Sequence, residues 1–426
     1  MKLKKLFALL ILFVLLLPVN YIYASIEDLD IYSPSVVLID SNSGKVLYKK
    51  NENKRMYPAS ITKIMTAILV LENCDLTDTA KVSEKAVMVV PPGYSIANVQ
   101  IGEELVIKDL MYALLLKSGN DVANVLAEKI AGSIEDFAVM MNQKAVELGC
   151  SGTNFVNPSG IHNADQYTTA SDMALIAKYC MQNETFRSIV ATTTYTLPAT
   201  NKYPKEDRVM TTTNDLLKLN TSKRKDNYYY QYCIGIKTGF TSQAKNTLVA
   251  AASRDNLEFI AIVLGAEQTS EFLSHRYLDT IALFNYAFDN YRIRKIINEE
   301  DIISQVYIKK NSLDLISSVS ITTVVKNENY EIDFEPEISL KEDLKVPINK
   351  GEIIGTATYD IEGISYTFDL LAGNNIEKNS VLSIIFRIIL ILVILYIVIL
   401  VLHKNSKRRR KVKRKSSHVT NYSHYL

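Results

Sequence analysis

A serine and a lysine stand three residues apart in Pro58-Ala59-Ser60-Ile61-Thr62-Lys63. A serine hydroxyl is a weak nucleophile at neutral pH, and an amine held beside it can take its proton. Positions i and i+3 of a helix share a face, so the Lys63 amine can reach the Ser60 hydroxyl. To act as a base, Lys63 needs a pKa lowered towards neutrality, which desolvation and a neighbouring positive charge achieve. Lys237, brought into the same site, would supply that charge. Two further short motifs follow. Ser118-Gly119-Asn120 lies between an apolar helical pattern and Asp121, where a second helix begins, so its hydroxyl and amide can relay a proton and hold a substrate carbonyl. Lys237-Thr238-Gly239 lies in a strand whose glycines let a peptide or ligand backbone come close. Singly these are a chance spacing, a helix cap and an edge strand; jointly they describe nucleophilic acyl transfer.

The elements that must carry these residues are legible from periodicity. Ser35–Asp40 and Gly44–Tyr48 read as two strands about the turn Asp40-Ser41-Asn42-Ser43-Gly44. From Ala59 the apolar positions Ile61, Ile64, Met65, Ile68, Leu69 and Leu71 predict a buried helix with Pro58 at its start and Ser60 on its first turn. Between Asp109 and Tyr179 helical patterns recur at 110–116, 121–130, 134–148 and 171–180. After about residue 185 the texture becomes β, with strands expected at 228–236, 246–253 and 257–264 and a helix at 276–288. Short alternating runs rich in Ile, Val, Thr and Tyr from about Ile293 to Gly373 predict an all-β second domain, with turns at 309–311, 326–329 and 361–363. The fold expected is therefore an α/β (α+β) domain, an antiparallel sheet flanked by helices with a helical insertion, then a small all-β domain.

The two ends are of another kind. Met1-Lys2-Leu3-Lys4-Lys5 precedes an apolar run from Leu6 to Val19, closed by Ile22-Tyr23-Ala24, which reads as a secretory signal cut after Ala24. The competing reading is an uncleaved anchor, and either takes the chain out of the cytoplasm. Val381–Leu402 is a run of 22 residues whose only charge is Arg387, long enough as a helix to cross a bilayer core of about 30 Å. The basic stretch Lys407–Lys415 behind it places the ectodomain outside and the tail inside, against anionic headgroups. The net charge of +2 hides this polarity: 13 of the 48 Lys and Arg lie in the two ends, leaving the part between with 11 more acidic than basic residues. A nucleic-acid partner is not expected. The expected organisation is a signal peptide at 1–24, a catalytic domain at 25–290, a β-domain at 291–375, a transmembrane helix at 381–402 and a basic cytoplasmic tail at 403–426. Cys74, Cys150, Cys180 and Cys233 form no C-x-x-C pair and are expected as buried free thiols, with a disulfide as the alternative.

S-x-x-K, S-D-N and K-T-G together mark the class A β-lactamases and penicillin-binding proteins; here the middle motif carries Gly119, and the intervals of 58 and 119 residues suit one domain. The chain resembles the serine-type D-alanyl-D-alanine carboxypeptidases, the low-molecular-mass penicillin-binding proteins of peptidase family S11. The resemblance runs over about residues 30–375. It includes Leu38-Ile39-Asp40, Gly44–Tyr48, Pro58–Thr66, Asn154-Phe155-Val156-Asn157-Pro158-Ser159-Gly160, Asp172-Met173 and Val346-Pro347-Ile348 with Lys350-Gly351-Glu352. It implies that Ser60 attacks the carbonyl of the penultimate D-Ala of a peptidoglycan stem peptide ending in D-Ala-D-Ala, that Lys63 takes its proton, and that β-lactam antibiotics inhibit by the same acylation. It further implies an oxyanion hole of the Ser60 and Phe240 N–H groups, a relay and orienting role for Ser118 and Asn120, and a carboxylate site at Lys237, Thr238 and Gly239 assisted by Arg276. No cofactor or metal is implied. One departure, Ala244-Lys245-Asn246-Thr247 in place of a more usual Ala-Gly-containing stretch, bears on local strand packing rather than on the chemistry.

Other readings compete. A Ser-His-Asp hydrolase would need His162 or His275, since the other histidines lie at or beyond the membrane end, and neither adjoins a G-x-S-x-G elbow. Zinc-peptidase chemistry lacks an H-E-x-x-H or other paired histidine spacing. A class A-like β-lactamase shares the three motifs but needs a carboxylate that activates water for deacylation; Glu128, Glu135, Glu147, Glu184 and Glu206 lie in the right interval, none in an E-x-x-x-N context. A non-catalytic penicillin-binding structural module is the remaining alternative, against which Ser60, Lys63, Asn120 and Lys237 are all intact.

Overall fold

Alternation within single strands shows how the sheet that carries the site is built. In the strand β1 (Ser35–Asp40) the side chains of Val37 and Ile39 enter one apolar core and those of Val36 and Leu38 enter another. Successive side chains of a strand point to opposite faces, so a sheet covered on both sides must be apolar at every position. The computed structural model describes residues 29–219, 227–269, 273–308, 310–327, 335–378 and 381–419; the expected signal peptide lies outside them.

The chain divides into two compact units, one running to Arg294 and regaining Thr323–Glu331, the other formed by Lys295–Thr322 and the chain from Ile332 onward. In the first unit β1 forms a hairpin with β2 (Val46–Lys50), as expected. A 3₁₀ turn at Ala59–Thr62 leads into α1 (Lys63–Asn73). Next come β3 (Thr79–Lys81), α2 (Glu84–Met88), β4 (Glu104–Val106), α3 (Ile107–Leu115), α4 (Asn120–Ala131), α5 (Ile134–Glu147), α6 (Ala170–Met181) and α7 (Glu184–Ala191), the helical insertion. The hairpin β5 (Thr194–Leu197) and β6 (Arg208–Thr211) precedes the remaining sheet strands β7 (Cys233–Thr241), β8 (Lys245–Arg254) and β9 (Leu257–Ala266), and α8 (His275–Asn290) closes the unit. The sheet is antiparallel in the order β2-β1-β9-β8-β7, with β7 at its edge. One core holds α1, α3 and α4 against Val37, Ile39, Val249, Ile260 and Ile262; the other holds Tyr277, Phe284 and Phe288 of α8 against Leu248, Phe259 and Val263.

Three details differ from expectation. The strand expected from residue 228 begins at Cys233 and continues through the Lys-Thr-Gly motif to Thr241, because pairing with β8 extends to Thr241↔Lys245. The β-textured stretch after residue 185 opens with α7, capped by the Asn183 side chain accepting the Phe186 N–H at 3.0 Å. Ser60 sits on a 3₁₀ turn ahead of α1 rather than on its first turn, because Ala59 takes a left-handed φ of +50°.

In the second unit the antiparallel sheet β11-β12-β16-β15-β14 is formed by Ile302–Ile308, Asn311–Ser317, Ile364–Ala372, Ile353–Ile361 and Glu337–Leu340, around a core that includes Leu313, Leu315, Ile354, Phe368 and Leu370. Outside that sheet, β10 (Tyr291–Ile297) and β13 (Ile321–Lys326), along which the chain passes from one unit to the other, pair with each other. The last element is the helix α9 (Val381–Val419), whose Ile384–Arg409 stretch contains an 18-residue window with a mean hydropathy of 3.4, none of it buried, and is long enough to cross a membrane. The four cysteines are free thiols; Cys180 is buried, whereas Cys74, Cys150 and Cys233 are half-buried rather than fully buried as expected.

Candidate active site

Lys63 opens α1 and is wholly buried, a costly place for a cation. Its Nζ lies 3.1 Å from Ser60 Oγ and donates to Asn120 Oδ1 at 2.7 Å and to the Ser159 carbonyl at 2.5 Å. Two of these partners are pure acceptors and the third is a hydroxyl that can donate. These partners accommodate a neutral amine, whose two N–H groups can serve the two carbonyls while its lone pair meets the Ser60 hydroxyl. Desolvation, followed by the charge of Lys237, holds the Lys63 pKa well below its usual 10.5, with Asp121 acting in the opposite sense.

The amide of Asn120 is aimed by its second hydrogen bond, from Nδ2 to the Ser95 carbonyl at 2.9 Å. This places Asn120 at the start of α4 with Gly119 as N-cap, directly after Ser118 in a left-handed conformation at φ +61°. Such a conformation costs a non-glycine residue of order 1 kcal/mol or more and recurs at functional sites. The loop that presents the Ser159 carbonyl is pinned by the Asn157 side chain, which accepts the Gly160 N–H at 2.8 Å, and by Thr66, which donates to the Pro158 carbonyl at 2.6 Å. A Cβ on Gly160, whose φ is +82°, would run into the Ala59 carbonyl. The glycine thus lets this loop press against the turn that holds the nucleophile.

Strand β7 closes the other side. A side chain at Gly239 would strike Thr247 and come within 2.8 Å of the Ser60 nitrogen, so only glycine allows the strand to pass so close to the nucleophile. Thr247 itself donates to the Pro58 carbonyl at 3.0 Å. The departure at Ala244–Thr247 is absorbed locally: Lys245 adopts φ +58° and keeps its pairing with Thr241. Lys237 is buried, donates to the Thr238 carbonyl at 2.9 Å, and has its pKa lowered to about 7 by burial and then by Arg276. The Thr238 hydroxyl lies 2.6 Å from that of Thr213, whose carbonyl accepts from the Tyr277 hydroxyl at 3.2 Å. Arg276 reaches the Gly239 carbonyl at 3.4 Å, rests on the Tyr277 ring at 4.6 Å, and keeps its Nε buried without a hydrogen-bond partner.

A cleft of about 500 Å³ opens above these groups, lined by Ser60, Tyr94, Ser95, Ser118, Asn120, Thr213, Thr238, Phe240, Gln243 and Arg276. The motif residues from three distant segments therefore meet at one cleft. Lys63 and Lys237 lie beneath it, buried, and Phe240 stands exposed at its rim. Arg276, together with Lys237 in its charged form, makes the site electropositive, suited to a substrate carrying a carboxylate. Sequence reasoning did not single out Ser159, Ser95, Tyr94, Thr213 or Gln243. Ser159 lies in the quoted Asn154–Gly160 segment, which was a usable signal; it and Ser95 contribute backbone carbonyls, which leave no trace in side-chain type.

Comparison with known proteins follows the same lines. A family model described as D-alanyl-D-alanine carboxypeptidase matches residues 23–268, and one described as penicillin-binding protein 5, C-terminal domain, matches residues 291–378. D-alanyl-D-alanine carboxypeptidase DacF of Bacillus subtilis is 33% identical over 338 residues, 77% of this chain and 82% of that protein. DacC of Escherichia coli, of the same description, is 27% identical over 83% of this chain and 86% of its own length. Among solved structures, penicillin binding protein 5 from Haemophilus influenzae superimposes with a TM-score of 0.63 at 27% identity, covering 82% of this chain and 98% of the other. The Streptomyces K15 DD-transpeptidase gives 0.54 at 32% identity, covering 61% of this chain and 98% of the other.

Proposed function

Because the chain belongs to the D-alanyl-D-alanine carboxypeptidase family, we propose that it removes the terminal D-Ala from peptidoglycan stem pentapeptides through an acyl-enzyme on Ser60. The Ser60 oxygen attacks the carbonyl of the penultimate D-Ala while its proton passes to the Lys63 amine. The oxyanion is held by the N–H groups of Ser60 and Phe240, a kind of contact worth about 3–4 kcal/mol per donor. Collapse breaks the peptide bond, and the leaving D-Ala amine takes a proton from Lys63 by way of Ser118. Asn120 orients the acyl chain, and Lys237, Thr238 and Arg276 hold the departing residue's carboxylate. Water then hydrolyses the ester by the reverse proton path. β-Lactams acylate the same serine, and their carboxylate meets the same cations.

The observation that carries this reading is the buried Lys63 amine between two carbonyls and the Ser60 hydroxyl, an arrangement that suits a neutral base. In the same reading the catalytic domain occupies 25–290 and the β-domain 291–375, the 381–402 segment of α9 crosses the cell membrane once, the ectodomain faces the wall, and the basic residues 403–426 stay inside on anionic headgroups. The full-length chain in detergent is expected to release D-Ala from diacetyl-Lys-D-Ala-D-Ala and to be blocked by penicillin. Cross-linked muropeptide offered in parallel reports endopeptidase action. Absence of D-Ala release by protein that is folded would overturn the assignment.

A further inference from the structure

The catalytic amide of Asn120 is only as well placed as the Ser95 carbonyl that holds it, and Ser95 belongs to a stretch without regular structure. That carbonyl accepts from both the backbone N–H of Asn120, at 3.0 Å, and its side chain, at 2.9 Å. Two buried carboxylates hold the loop that follows. Asp121, on the first turn of α4, accepts the Ala97 N–H at 3.0 Å and the Val99 N–H at 3.3 Å. Glu103, wholly buried, accepts the Gln100 N–H at 2.9 Å and is gripped by Arg208 of β6, with Nη2 on Oε1 at 2.5 Å and Nη1 on Oε2 at 3.4 Å. The Tyr203 ring lies 3.8 Å from the Arg208 guanidinium, and its hydroxyl donates to the Asn98 carbonyl at 2.8 Å.

We propose that Asp121 and the Glu103–Arg208–Tyr203 clamp are positioning residues for the reaction: they fix the 95–103 loop so that the Ser95 carbonyl aims Asn120 at Lys63. The inference rests on the proposed function, since it assigns these residues a part in acylation. None of them lines the cleft at Ser60; they act through Asn120. Burial supports a role beyond surface decoration. A carboxylate at Glu103 with no exposure is tolerable only when paired and hydrogen-bonded, and both conditions are met by a bidentate guanidinium. Asp121 is also placed to be felt at the base, because its charge opposes the lowering of the Lys63 pKa by burial and by Lys237. The other groups facing that amine, the Ser60 hydroxyl, the Asn120 amide and the Ser159 carbonyl, carry no charge.

The test uses the full-length chain in detergent, reacted with a fluorescent penicillin across a pH series, with melting temperatures measured alongside. Asp121→Asn is expected to acylate about 10- to 100-fold more slowly at its optimum, as a misaligned catalytic group does, and to move the acid limb of the rate profile to lower pH. Tyr203→Phe, which removes one hydroxyl from the clamp, is expected to acylate about 2- to 10-fold more slowly with an unchanged melting temperature. If Asp121→Asn does not fold, Tyr203→Phe alone decides. Parental rates in both variants would overturn the inference while leaving the Ser60 assignment standing. So would a loss that only tracks the folded fraction, with the acid limb unmoved. A parent protein that fails to label would overturn the proposed function, and the inference with it.

Discussion

Lys63→Met is expected to slow acylation by penicillin by roughly 10³- to 10⁴-fold while the protein stays folded, the upper part of the range for a positioned acid–base group. Methionine fills nearly the same volume, so the α1 core stays packed, but nothing then faces the Ser60 hydroxyl to take its proton. The change leaves Asn120 Oδ1 and the Ser159 carbonyl without their donor, which costs about 1–3 kcal/mol for each such group, offset by no longer burying an amine. A melting temperature near the parental value, together with the rate loss, separates a missing base from a collapsed site. A rate within 10-fold of the parent would mean that another group activates the serine. Lys63→Arg is no conservative rescue, because a guanidinium does not give up its proton.

Lys237→Ala is expected to lower kcat/KM for a D-Ala-D-Ala peptide by roughly 10- to 100-fold, the worth of one charge-assisted contact to the substrate carboxylate. Its pH profile carries more information than its size. Lys63 works as the free amine, so activity rises with pH through its lowered pKa. Lys237 works as the cation, so activity falls as pH passes its own value of about 7 in the free enzyme. A bell for kcat/KM follows, and a bound carboxylate draws the falling limb of kcat to higher pH. In Lys237→Ala the falling limb disappears. The rising limb moves to higher pH, because the positive charge that helps depress Lys63 is gone. Steady-state rates of D-Ala release across the pH range check both shifts, and an unaltered bell would remove Lys237 from the carboxylate site.

What the sequence made legible was side-chain chemistry at characteristic spacing. Ser60, Lys63, Asn120 and Lys237 are distinct chemical types, and three short motifs in order are far less probable than any one. The β1–β2 hairpin and the apolar α1 were equally plain, because alternation and near-continuous burial both leave a pattern. Backbone features stayed hidden. The Ser159 and Ser95 carbonyls aim Lys63 and Asn120, yet any residue has a carbonyl. The left-handed turns at Ala59, Ser118 and Lys245 fall on residues that seldom adopt them, so no propensity announced them. Helix α7 falls where the texture turns β after about residue 185; its Asn183 cap and the fit of Phe186, Ile189 and Val190 into the core decide for a helix. The Arg208–Glu103 clamp joins positions 105 residues apart, a distance at which charge complementarity in the sequence alone has no partner to point to.

The central claim is that Ser60 carries the acyl group. Full-length protein incubated with penicillin, digested and mapped by mass spectrometry should show the penicilloyl adduct on the peptide containing Ser60, and Ser60→Ala, folded to the parental melting temperature, should carry none. An adduct on Ser118 or any other residue, or undiminished labelling of Ser60→Ala, would contradict the account.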